Sequence, residues 1–317
     1  MATLPTFSIT PSGPFSWERA TDFLSNFAPT SRHGRGRPAV RMAFPLDGEL
    51  TPVGVGLHWD SGALHGVVTG TADVETVRAQ VARIFSLDVD AREYPAVGER
   101  EPAVGRLMSA LPGLRPILFT SPYECAAWAI MSQRISRAQA ARVQEGLLAE
   151  LGDALVVGGE VVRCFPAPER LAELRALPGL SAEKVRRLRE LAAPARAGML
   201  DAARLRALGP ERAPAELRRL AGIGEWWSQG IYLRACGVTD VFAGEHISVR
   251  ALTVVRGLDA PPGEAELEAL TEVYRPFRMW VCVLLRVAVN RGLVPGVDDL
   301  VRTGLPTATT AARPAGA

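Results

Sequence analysis

Lysine is almost missing from this chain: of 36 basic residues in 317, only Lys184 is a lysine. A reaction that needs a side-chain amine as nucleophile therefore has one candidate. Cysteine is also scarce. Cys125, Cys164, Cys236 and Cys282 lie far apart with no C-x-x-C spacing, which argues against a zinc site, an iron–sulfur loop or a disulfide framework and predicts reduced, buried thiols. No apolar run reaches the roughly 18 residues of a membrane span, and Met-Ala-Thr-Leu-Pro at the start lacks a basic segment followed by an apolar one. The expectation is a cytoplasmic protein without a membrane partner. Excess charge is lacking too, since a formal net charge of +2 neither demands nor forbids a polyanionic partner. What the chain does have is a 48% hydrophobic composition with 22% charged residues, ample for a large core in more than one domain.

The texture of the chain changes once, near residue 105. Before it, Pro38–Phe44, Pro52–Trp59 and Ala63–Thr69 are short, partly alternating apolar runs separated by Asp47-Gly48 and Asp60-Ser-Gly62, the pattern of an antiparallel sheet. Helical spacing flanks them at Trp17–Phe27 and at Val74–Phe85, where Val74, Val77, Val81 and Ile84 recur. The basic, glycine-rich stretch Thr30–Pro38 reads as a solvated loop. From Pro122 to about Leu293 the pattern is helical, broken at Gly158-Gly159, Pro178-Gly179, Gly209-Pro210, Gly222–Gly224 and Pro261-Pro-Gly263. The sequence thus predicts an α+β protein with three parts. Residues 1–105 form a small antiparallel sheet with helices, 106–301 a mostly helical domain, and 302–317 a low-complexity, disordered tail.

The segment Leu217-Arg-Arg-Leu220-Ala-Gly222-Ile-Gly224-Glu-Trp226 spells two helices joined by a tight hairpin. Leu217 and Leu220 share one helical face, and the glycines permit positive φ and leave room for another backbone. A helix starting at Glu225 would aim its free N–H groups and positive dipole end out of the turn, an arrangement suited to phosphate. Leu174-Arg-Ala-Leu177-Pro-Gly179-Leu-Ser181 echoes the spacing, but Ser181 as an N-cap accounts for that copy.

Three further segments accompany the hairpin. Pro122-Tyr-Glu-Cys-Ala-Ala-Trp128-Ala-Ile-Met-Ser-Gln133-Arg134-Ile-Ser136 joins two apolar helices by a polar turn, Phe165-Pro-Ala-Pro168-Glu169 enters another helix, and Tyr274-Arg-Pro-Phe277-Arg278 lies near the C-terminal end. In order and spacing the four resemble the helix-hairpin-helix DNA glycosylases of the 3-methyladenine glycosylase II type, over roughly residues 105 to 295. Ala221 and Glu225 stand where the usual hairpin has prolines. The strand-rich N-terminal part resembles the extra α+β domain of that branch more loosely.

The resemblance implies excision of alkylated purines from double-stranded DNA, as the first step of base-excision repair by a monomeric, nucleoid-associated enzyme. The damaged nucleotide is extruded into a pocket, and the bond from sugar to base breaks through a sugar of oxocarbenium character that a carboxylate stabilises. DNA contacts would come from Gly222, Ile223 and Gly224 of the hairpin and from Gln133, Arg134 and Ser136, with Arg134 filling the hole that the base leaves. Trp226, Tyr274 and Phe277 would line the base pocket. At the catalytic position the chain departs from the family, whose aspartate is matched here by His246, with Glu245 one residue earlier. Two roles stay open: Glu245 supplying the negative charge, or a neutral His246 handling water. The missing aspartate also leaves open a non-catalytic protein that binds damaged or distorted DNA. Strand-nicking relatives use a lysine near the position of Trp226, so no lyase step is expected, nor a required cofactor or metal. A structural monovalent cation held by carbonyls of the hairpin is compatible with the resemblance.

Overall fold

The computed structural model describes residues 4–30 and 39–297. Residues 31–38 of the expected loop, and the expected tail at 302–317, lie outside them.

The first part is built on a four-stranded antiparallel sheet of β1 (Thr6–Ile9), β2 (Val40–Pro45), β3 (Pro52–Asp60) and β4 (Ala63–Thr69), in the order β1-β4-β3-β2. Val53, Val55 and Leu57 alternate along β3 and point into the core, as a half-buried strand requires. Two helices accompany the sheet. In α1 (Trp17–Asn26) Ser16 caps the N-terminus by accepting from the Arg19 N–H, and in α2 (Val74–Ile84) Asp73 accepts from the Thr76 N–H. Each cap satisfies a donor that the first turn would otherwise leave unpaired.

The rest is helical: α3 (Pro95–Arg100), α4 (Pro102–Ala110), α5 (Pro122–Ser132), α6 (Arg137–Leu151), α7 (Pro168–Ala172), α8 (Ala182–Glu190), α9 (Ala192–Arg196), α10 (Ala202–Leu217), α11 (Glu225–Arg234), α12 (His246–Arg256), α13 (Glu264–Thr271) and α14 (Arg278–Asn290). Helix α5 is buried from Pro122 to Met131, and α14 from Arg278 to Leu285; buried on all sides over those stretches, they are the axes around which the other helices pack. The expected break at Gly209 is real, with φ of +81° inside α10.

One expectation needs correction. The helical region contains a β-hairpin, β5 (Ala154–Val157) and β6 (Glu160–Arg163), and Gly158-Gly159 is its turn rather than a break between helices. The hairpin lies on the outer face of the first sheet, where a Cβ at Gly54 would stand 2.6 Å from the Val157 side chain. The apolar core is in two clusters. One holds residues from Phe7 to Leu87 together with Ile117, and the other begins at Ala91, because α3 and α4 bury their apolar faces against the helical part.

Candidate active site and nucleic-acid interface

Between the end of α5, the start of α12, α14 and the N-terminal helix α1 lies a cleft of about 580 Å³. Its walls are apolar and aromatic: Phe23, Phe27 and Phe119 on one side, Trp128, Met279 and Val283 on another, and Trp226 and Trp227 toward the mouth. The two tryptophans meet edge to face at 4.6 Å, and Trp226 is 56% exposed. Aromatic walls of this kind suit a planar ring.

Glu245 stands in the lining. It is the N-cap of α12, and its carboxylate accepts from the Ser248 N–H at 3.1 Å and lies 2.8 Å from Ser248 Oγ. The other carboxylate oxygen pairs with Arg286 of α14. Burial pushes the carboxyl upward, but attraction to Arg286 and the hydrogen bonds from Ser248 and Arg286 outweigh it and hold the group below the usual carboxylate range. Glu245 is thus a half-buried, ionised carboxylate at the positive end of a helix. Arg234 stands nearby, its guanidinium 4.9 Å from the Phe27 ring centroid. Burial, reinforced by repulsion from Arg286, pulls its pKa down to about 10.

His246 is the first residue of α12, is exposed, and does not line the cleft. Two residues expected in the base pocket are in the core instead. Tyr274 is 0% and Phe277 2% exposed, and Phe277 packs on Tyr94 and Trp280 at 5.1 and 5.2 Å. The chain turns them inward because both belong to the apolar face that seats α14. Phe23 and Phe27, which do line the cleft, come from the N-terminal part, and the only sequence signal for them was the amphipathic pattern of α1.

At the mouth stand the hairpin and the polar turn. Leu217, Leu220 and Ile223 are buried, so of Ile223 only the backbone is presented outward. Gly222 has φ of +87° and abuts Arg187, whereas Gly224, the N-cap of α11, has open space around it and no side-chain cap. The first N–H groups of α11 therefore face outward from an uncovered helix end. Gln133 reaches across to donate its Nε2 to the Gly222 carbonyl at 2.6 Å. Arg134 follows it, exposed, lining the cleft, and with φ of +56°, a conformation that costs a non-glycine residue roughly 1–2 kcal/mol. Ser136 forms a capping box with Gln139 at the start of α6.

No protein-family model matches the chain. It is 28% identical over 255 residues to DNA-3-methyladenine glycosylase 2 of Escherichia coli, covering 74% of this chain and 84% of that protein. In structure it is similar to a 3-methyladenine DNA-glycosylase from Archaeoglobus fulgidus, with a TM-score of 0.73 and 22% identity over 90% of this chain and 98% of the other. It is also similar to the 8-oxoguanine glycosylase/lyase of Clostridium acetobutylicum in complex with double-stranded DNA, with a TM-score of 0.57 and 14% identity over 77% and 87%. The α+β fold, with the hairpin and the cleft beside it, is the fold of these glycosylase structures. In sequence, the chain resembles the 3-methyladenine glycosylase II branch.

Proposed function

We propose that this protein is a DNA glycosylase that removes alkylated purines of the 3-methyladenine type from double-stranded DNA, opening base-excision repair. The observation that carries the reading is the ionised Glu245 carboxylate in an aromatic-walled cleft whose mouth is framed by the uncovered hairpin and by Arg134. The α11 N-terminus and the glycines at 222 and 224 hold a backbone phosphate, Arg134 enters the duplex, and the extruded base enters the aromatic-walled cleft. As the bond to the base stretches, the sugar gains positive charge, which the fixed carboxylate stabilises.

The reading is monofunctional. The fold also serves glycosylase/lyases, but a lyase step needs an amine at the sugar. Lys184, the single lysine, is outside the cleft lining, and its amine is engaged by two backbone carbonyls. No step runs through a metal or cofactor. A monovalent cation at the hairpin would have to share the Leu220 and Gly222 carbonyls with donors that they already hold.

One observation favours a second reading, a protein that binds damaged or distorted DNA without excising a base: both oxygens of Glu245 are engaged by partners, and the exposed His246 is outside the cleft lining. Incubation with duplexes that carry defined lesions, followed by alkali, decides between the two. Strand breaks at the lesion support the glycosylase, whereas tight binding without breaks supports the second reading.

A further inference from the structure

Lys184 lies on α8, a helix that the catalytic reading does not use. Its Nζ donates to the carbonyls of Met131 at 2.8 Å and Gln133 at 2.5 Å. Those oxygens belong to the last turn and the C-cap of α5, where the negative end of a helix dipole lies and carbonyls lack helical partners. The next residue is Arg134, in its left-handed conformation.

One turn further along α8, Arg187 brings its guanidinium to 3.4 Å from Gln133 Oε1, and its Cδ lies 2.9 Å from where a Cβ on Gly222 would be. Gln133 in turn donates to the Gly222 carbonyl. Arg187 is itself held by Glu183, one turn back on α8. A single helix thus buttresses both gripping elements at the mouth of the cleft: Lys184 stands under the turn that carries Arg134, and Arg187 stands against the hairpin.

We propose that Lys184 is a positioning residue for the wedge. By neutralising and binding the carbonyls at the end of α5, it fixes the bend that turns Arg134 outward, and through Gln133 it sets that bend at a fixed distance from the hairpin. A compact ammonium with three donors on a flexible stem suits two converging carbonyls, whereas a planar guanidinium does not. That geometry gives a role to the one lysine in a chain otherwise furnished with arginine.

The inference rests on the glycosylase reading for the role of Arg134 in DNA, and the test separates the two. Binding to a duplex with a tetrahydrofuran abasic-site analogue and to intact duplex is measured for the parent, Lys184→Met, Arg134→Gly and the double variant, with thermal unfolding of each. Glycine adopts the left-handed conformation without cost, so Arg134→Gly removes the wedge and leaves the turn. Lys184→Met should reduce the preference for the abasic analogue by about tenfold in the parent background and leave it unchanged in the Arg134→Gly background. An equal loss on both duplexes, or the same loss in both backgrounds, overturns the proposal, because a loosened fold would act regardless of Arg134. If Lys184→Met does not fold, Lys184→Gln, which can still donate to one carbonyl, is put through the same cycle with the same criterion and a smaller expected effect. A parent with no preference for the abasic analogue refutes the wedge reading itself; a parental preference that Lys184 does not alter refutes only this proposal.

Discussion

A carboxylate acts on a developing cation only while it is ionised, and Glu245 owes its ionisation to Arg286 and Ser248. Glu245→Gln keeps the shape and removes the charge. Excision of a lesion should fall on the order of 10²- to 10³-fold in single-turnover assays, with duplex affinity retained. Arg286→Met probes the same group differently. With the guanidinium gone, burial dominates and the Glu245 carboxyl rises, so the pH at which excision fails on acidification should move upward. In the parent the rate should hold down to below the usual carboxylate range, since the folded-state pKa is depressed. If the acid limb of the rate profile stays in place in Arg286→Met, Glu245 is not the group that titrates. His246→Ala should change excision by less than about twofold, as for an exposed residue away from special features; a large loss would return the water-handling role to the imidazole. The sequence brought both candidates into view, with Glu245 ahead, but not their orientation, because a one-residue difference at a helix start decides which side chain faces inward.

Turns and caps were the legible elements. Capping serines and aspartates, the glycine punctuation and the apolar spacing marked most helix starts and the three longer strands, because those signals act over a few residues. The hairpin of β5 and β6 carried a short-range signal as well, two β-branched runs around Gly158-Gly159. It was overridden by the helical texture on both sides. Tyr274 and Phe277 failed for another reason: family spacing places a segment, while the packing of α14 decides which way its rings turn. The glycine hairpin permits a clean separation of fold from binding. Gly224 has open space where a Cβ would go, and aspartate is a good N-cap. Gly224→Asp should therefore match or exceed parental thermal stability yet bind all duplexes more weakly, by like charge beside phosphate. Unchanged affinity would make the hairpin a purely structural corner. Gly222→Ala, by contrast, meets Arg187 at a positive φ and should lower stability.

On the scale of the whole molecule, the sheet-bearing part and the helical part share the cleft and are joined beneath it. The buried Arg83 of α2 pairs with Asp47 at 2.6 Å, donates to the Thr120 carbonyl at 2.7 Å, and also reaches the carbonyl of Ala235 at the end of α11. Arg83→Met would strand Asp47, which burial already pushes toward protonation, and should destabilise the fold by about 3–5 kcal/mol in denaturant titration. A loss under about 1 kcal/mol would show that the two parts hold together by apolar contact alone. Because Phe23 and Phe27 come from the first part, loosening this joint should also widen the cleft, so excision should fail at lower denaturant than the helical signal does.

The scarcity of lysine has a practical side. Acylating reagents that seek side-chain amines find a single target in this chain, and it is tied to the end of α5 while the wedge turn keeps its shape. Its modification rate would report the opening of that turn directly, without an introduced label. Seating on a duplex that holds the turn in place should slow the reaction, and slippage of the protein along undamaged DNA should leave it faster.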